Sequence, residues 1–164
     1  MNGKIVFITG GTSGYGKAMA KRFVQEGARV IIAARKQEEL DAVSREIGCD
    51  ALRMDVTDFA AWHSARAYVE EKYGRLDVLI NNAGGGVAIK PVAEQTKAEI
   101  DRAILLNLNS VIYAANTFAP LFMAQRAGTI LNMSSVCARQ CWPEWSVYAA
   151  AKAGVLNFSK GLYT

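Results

Sequence analysis

The chain has 164 residues, 51% hydrophobic and 21% charged, a balance that excludes disordered and fibrous proteins and suits a single folded domain. Nineteen Lys and Arg against fifteen Asp and Glu leave a net charge of +4, too mild to mark a nucleic-acid partner but compatible with an anionic ligand. Cys49, Cys137 and Cys141 form no CxxC pair and His63 is the single histidine, so neither a disulfide framework nor a metal site is expected.

In chain order, the residues from Met1 to Gly10 hold one Lys and a short apolar run. They lack the long apolar stretch of a signal peptide, and a reducing, cytoplasmic setting is expected. Short runs rich in Val and Ile then alternate with helix-period segments. Strands are predicted over Lys4–Thr9, Arg29–Ala34, Ala51–Asp55, Leu76–Ile80 and Thr129–Met133. Helices are predicted over Tyr15–Glu26, Gln37–Ile47, Asp58–Tyr73, Lys97–Gln125 and from Trp145 onward. The segment Ala103–Gln125 carries no charge and is long enough to cross a bilayer, but Asn107, Asn109, Ser110, Asn116, Thr117 and Pro120 make a buried or interface helix the better reading. No membrane partner is expected. Strand and helix alternating in this way imply right-handed crossovers and a doubly wound parallel α/β sheet.

Ligands of such sheets bind beyond the carboxyl ends of the strands. There the chain has, in turn, Thr9 to Gly16, Ala34-Arg35, Asp55-Val56, Asn81 to Gly84 and Ser134-Ser135. The opposite ends carry ordinary linkers such as Glu26-Gly27-Ala28 and Tyr73-Gly74-Arg75. Gly10, Gly14 and Gly16 lie between a strand and a helix, where missing Cβ atoms let backbone N–H groups approach a pyrophosphate and the helix N-terminus favours its charge. A tight turn alone would also use glycines; the flanking strand and helix favour a dinucleotide site.

The spacing is TGxxxGxG. Together with Asn81-Asn82-Ala83-Gly84 and a Ser135, Tyr148, Lys152 set, it resembles the short-chain dehydrogenase/reductase family over essentially the whole chain. The resemblance implies a Rossmann-type fold with strand order 3-2-1-4-5. It also implies that Gly10, Thr12, Ser13, Gly14, Tyr15 and Gly16 hold the diphosphate, Asp55 and Val56 contact the adenine, and Asn82, Ala83 and Gly84 border its ribose. Tyr15 departs from the family, which more often has a branched aliphatic residue there. An acid at the end of the second strand would bond the 2′-hydroxyl of NAD; Ala34 followed by Arg35 suits the 2′-phosphate of NADP instead. NADP(H) is the expected cofactor, with NAD(H) use open.

Tyr148 and Lys152 stand four apart, on one face of a helix, and Ser135 precedes Tyr148 by 13 residues. Tyr68 and Lys72 repeat the spacing, but away from the ligand side and with an aspartate, Asp55, where the serine should be, so they read as a surface pair. Interconverting an alcohol and a carbonyl with a nicotinamide requires removal or return of the hydroxyl proton. A free phenol titrates near ~10, and lowering that by ~3 units takes roughly 4 kcal/mol of phenolate stabilisation, which a neighbouring cation supplies. By resemblance Tyr148 is the general acid/base, Lys152 also holds the nicotinamide ribose, Ser135 bonds the substrate oxygen and Asn107 anchors a relay water. The loop with Cys137, Arg139, Cys141, Trp142, Pro143 and Trp145 is placed as a substrate wall, or as tryptophans packing the loop alone, and its cysteines read as buried thiols.

The family's chain normally runs about a third further, adding two parallel strands and a substrate loop. This chain is therefore expected to be one NADP-binding domain, residues 1–164, ending within the helix that carries Tyr148 and Lys152, with its fifth strand at a sheet edge. The expected function is interconversion of a small-molecule carbonyl and a secondary alcohol by a homo-oligomer. The alternative is a truncated nucleotide-binding or structural domain with little turnover.

Overall fold

A computed structural model describes residues 1–140 and 142–162. Cys141, expected to be a buried thiol, lies outside the described residues. Five parallel strands, β1 (Ile5–Thr9), β2 (Arg29–Ala34), β3 (Asp50–Arg53), β4 (Val78–Asn81) and β5 (Thr129–Asn132), form one sheet in the order β3-β2-β1-β4-β5. This is the Rossmann-type order expected. Helices α1 (Gly14–Gln25), α2 (Gln37–Ile47), α3 (Phe59–Tyr73), α4 (Lys97–Ile104) and α5 (Ser110–Gln125) lie in the crossovers, and α6 (Ser146–Gly161) follows β5.

The central strand explains the layering. All five residues of β1 are buried, and successive side chains enter opposite cores because a strand alternates its faces. Ile5 and Phe7 join Trp62, Val69, Leu79 and Phe118 on the side of α3 and α5. Val6 and Ile8 join Ala20, Ile32, Leu40 and Ile80 on the side of α1 and α2. Phe7, Trp62 and Phe118 contact one another with ring centroids 5.9–6.5 Å apart, and the Trp62 indole N–H donates to the Val56 carbonyl at 2.9 Å. The uncharged α5 buries Ala114, Phe118 and Leu121 here, which accounts for its apolar composition as that of a core helix.

Most strand ends differ from the expected ones by a residue or two, and at two of them side-chain hydrogen bonds supply the reason. Leu76 does not extend β4, because the Gln125 side chain takes both its N–H and its carbonyl, at 3.0 and 2.7 Å. Asp55 does not extend β3, because its carboxylate accepts from the Thr57 amide and hydroxyl, at 2.9 and 2.7 Å, and turns the chain. The segment expected as one helix over Lys97–Gln125 is interrupted by a π-helical turn at Leu105–Asn109.

Candidate active site

The carboxyl ends of the strands surround a cleft of about 1270 Å³. Of the residues singled out in the sequence, Gly10, Thr12, Ser13, Gly14, Tyr15, Arg35, Asp55, Val56, Asn82, Ala83, Gly84, Ser135, Tyr148 and Lys152 line it. Gly16 and Asn107 stand behind the wall and shape it.

The glycine loop is built by close approach. Gly10 and Gly14 have φ of 66° and 50°, in the left-handed region that favours glycine. A Cβ on Gly16 would lie 2.1 Å from the Gly10 carbonyl oxygen and 2.6 Å from Asn82 Nδ2. Asn82 fastens this loop by donating from Nδ2 to the carbonyls of Thr9 and Gly10, at 2.9 and 3.2 Å. Thr9 returns the tie: its hydroxyl accepts from the Asn82 and Ala83 amides at 3.1 and 3.0 Å. Sequence reading placed Thr9 in the motif but gave it no part in the site; a buried hydroxyl residue closing a core strand was the available signal. Lys36, Glu39, Arg102 and Met133 also line the cleft and were not foreseen.

At the other end, α6 presents Tyr148 and Lys152. Lys152 is 3% exposed, and its ammonium donates to the Met133 carbonyl at 2.8 Å and lies 5.9 Å from the Tyr148 ring centroid. Burial lowers its pKa from the ordinary lysine value. Ser135 Oγ accepts from the Cys137 amide at 3.1 Å, whereas Ser134 donates to the Lys152 carbonyl at 2.9 Å, fastening β5 to α6. Trp145 packs edge-on against Tyr148 with centroids 5.3 Å apart, and Trp142 in turn against Trp145. Neither indole lines the cleft, and the two rings pack in series beside Tyr148. Cys137 is buried, as expected.

Asn107 is buried within the π-helical turn, and its side chain is fully engaged. Oδ1 accepts from the Gly85 amide at 2.9 Å, and Nδ2 donates to the Gly85 and Ala103 carbonyls, each at 3.0 Å. Its side chain therefore positions the Gly84–Gly86 wall. Tyr68 and Lys72 lie on α3 outside the cleft; the Lys72 ammonium pairs with Asp50 at 2.7 Å and donates to the Tyr68 hydroxyl at 3.1 Å. No group of His, Cys, Asp and Glu suited to a metal occurs among the described residues.

A parallel sheet with a glycine cradle at one switch point and a tyrosine and buried lysine across the same cleft is a Rossmann-type arrangement. The chain belongs to the short-chain dehydrogenase family, whose model matches residues 4–164. It is 33% identical to the NADP-dependent 3-hydroxy acid dehydrogenase YdfG of Salmonella typhi, over 98% of this chain and 65% of that protein. It is 35% identical to the 2-dehydro-3-deoxy-L-rhamnonate dehydrogenase (NAD(+)) of a Sphingomonas strain, over 98% and 65% respectively. A short-chain dehydrogenase structure from Streptomyces avermitilis superposes with a TM-score of 0.92 at 31% identity, covering 98% of this chain and 60% of that one. The chain spans 61–65% of the length of these and similar curated relatives.

Proposed function

We propose that the chain carries the cofactor site and the reacting groups of an NADP(H)-dependent oxidoreductase that interconverts a carbonyl and a secondary alcohol. The observation that carries this reading is Lys152: a buried ammonium with no carboxylate partner among the described residues, facing the cleft beside Tyr148 and opposite the glycine loop. Burying an unpaired cation is costly, and such groups mark functional sites.

The residues fit a nicotinamide dinucleotide. A Cβ at Gly16 would fill the loop, one at Gly10 would crowd the Ala83 backbone at 3.1 Å, and one at Gly84 would lie 3.2 Å from Lys152 Nζ, so the cradle is kept free of side chains. Gly10, Thr12, Ser13, Gly14, Tyr15 and Gly16 would hold the diphosphate, Asp55 and Val56 the adenine, Asn82, Ala83 and Gly84 its ribose, and Arg35 the 2′-phosphate. When bound, the nicotinamide supplies hydride exchange with the substrate carbon. Tyr148 gives its hydroxyl proton to the carbonyl oxygen in reduction and takes it back in oxidation. Lys152 stabilises the phenolate and would hold the nicotinamide ribose. Ser135 donates to the substrate oxygen, and Asn107, which holds the Gly84–Gly86 wall through its side chain, anchors a relay water by the family resemblance.

In the natural full-length protein, Tyr148→Phe is expected to lower kcat for ketone reduction by about 10²–10⁴-fold while leaving NADPH affinity within about threefold. Unchanged turnover across a panel of ketones would remove Tyr148 from the reaction and favour a nucleotide-binding role alone.

A further inference from the structure

The rim of the cleft at the end of β2 holds a second, unforeseen charge arrangement. Arg35 and Lys36 provide two cations there, as a 2′-phosphate would require. They are not equally available. Among the described residues Arg35 makes no ion pair, whereas the Lys36 ammonium is held at 2.7 Å by Oε1 of Glu39, in the first turn of α2. Oε2 of the same carboxylate accepts from the Thr12 hydroxyl at 3.4 Å, across the mouth of the cleft, so Glu39 ties the glycine loop to the second-strand rim. Glu39 lines the cleft itself. Its carboxyl is held below the ordinary value, first by the hydrogen bond from Lys36, and so is ionised at neutral pH.

The acid absent at Ala34 is thus present five positions later. We propose that Glu39 is a cofactor-selecting residue: its carboxylate neutralises Lys36 and opposes a 2′-phosphate, which narrows the preference for NADP over NAD that Arg35 creates. The inference rests on the dinucleotide-site reading above and deepens it. A rim with one free guanidinium and one neutralised ammonium attracts a dianionic phosphate less than two free cations do, and carries an acceptor for a ribose hydroxyl. Relatives of nearly equal identity carry names specifying NADP and NAD(+), so kinship does not decide between the cofactors.

The test is fluorescence titration of the natural full-length protein with NADPH and with NADH. Glu39→Gln is expected to tighten NADPH about fivefold or more at about 50 mM salt, with most of the gain lost at about 500 mM, and to leave NADH within about twofold. Adding Lys36→Ala to Glu39→Gln should cancel the gain, because the cation released is Lys36. Glu39 is exposed, and thermal melts verify that the variants fold. A ratio of NADH to NADPH affinity that stays within about twofold of wild type in Glu39→Gln overturns the proposal. Arg35→Ala separates the two levels: if it weakens NADPH while Glu39→Gln is silent, only the role of Glu39 fails. If it leaves NADPH unchanged, the NADP reading fails and this inference with it.

Discussion

Two Tyr and Lys pairs with identical spacing differ in what surrounds the lysine. Lys72 is exposed and its pKa is raised, first by the hydrogen bond to Asp50 and then by Tyr68. Lys152 is buried, and desolvation lowers its pKa. The sign of that shift makes a prediction. A lysine whose folded pKa is depressed destabilises the fold while charged, throughout the range below its folded pKa, and the penalty disappears as pH rises from there towards ~10.4. Replacing it by an apolar side chain of similar length removes the penalty at neutral pH and forfeits one charge-assisted hydrogen bond to Met133, worth about 1.5–3 kcal/mol. Lys152→Met is therefore expected to melt at or above the wild-type temperature at pH 7 while losing turnover by at least about 100-fold, a separation of stability from activity. A melting temperature well below wild type would show that the ammonium serves the fold. The glycine loop and the pair on α6 were legible because their meaning lies in local spacing beside a strand end. The ties from Thr9 to Asn82 and Ala83, and from Thr12 to Glu39, join elements distant in sequence, and a buried hydroxyl at the end of β1 was the sole local trace of the first.

Helices were legible to within a residue or two, because their signals are local: Asp58 caps α3 by accepting from the Ala60 amide, and Gly74 ends it with φ of 69°. The interruption between α4 and α5 was not legible, since Leu105 to Asn109 is an ordinary run for a helix. What marks it is tertiary: Asn107 turns inward and pairs with both backbone groups of Gly85, joining the π-helical turn to the cleft wall. Asn107→Ala leaves a buried-side amide and carbonyl without partners, at about 1–3 kcal/mol each. The expected loss is about 2–4 kcal/mol in urea unfolding, with weaker NADPH binding as the Gly84–Gly86 segment loosens. Unfolding unchanged within about 0.5 kcal/mol would mean that water replaces the side chain and that the turn is held by packing alone.

Across the whole molecule the two ends of the sheet do different work. The carboxyl ends hold the cleft; the amino ends hold the strands together through Asp77, whose carboxylate accepts from the Ile5 amide at 2.9 Å, from Lys4 at 3.0 Å and from Arg75. Its own amide donates to Ile5 and its carbonyl accepts from Thr129, so one residue joins β1, β4 and β5. Burial pushes its carboxyl up, but the Ile5 amide, Lys4 and Arg75 together outweigh this and hold it below the ordinary aspartate value. A carboxylate with a depressed folded pKa contributes stability that is fully present above its unfolded value, near ~3.9, and is lost as pH falls through the lower folded one. Asp77→Asn is expected to cost about 1–3 kcal/mol in urea unfolding at pH 7. The gap to wild type should begin to shrink as pH drops below ~3.9 and close as it falls through the lower folded value, where the wild-type side chain is protonated too. Since the contact lies at the amino end of the sheet, opposite the cleft, NADPH affinity at pH 7 should stay within about twofold where the variant is folded. A gap independent of pH would assign the contribution of Asp77 to geometry rather than charge, and a loss of affinity would show that the amino ends of the strands also set the cleft.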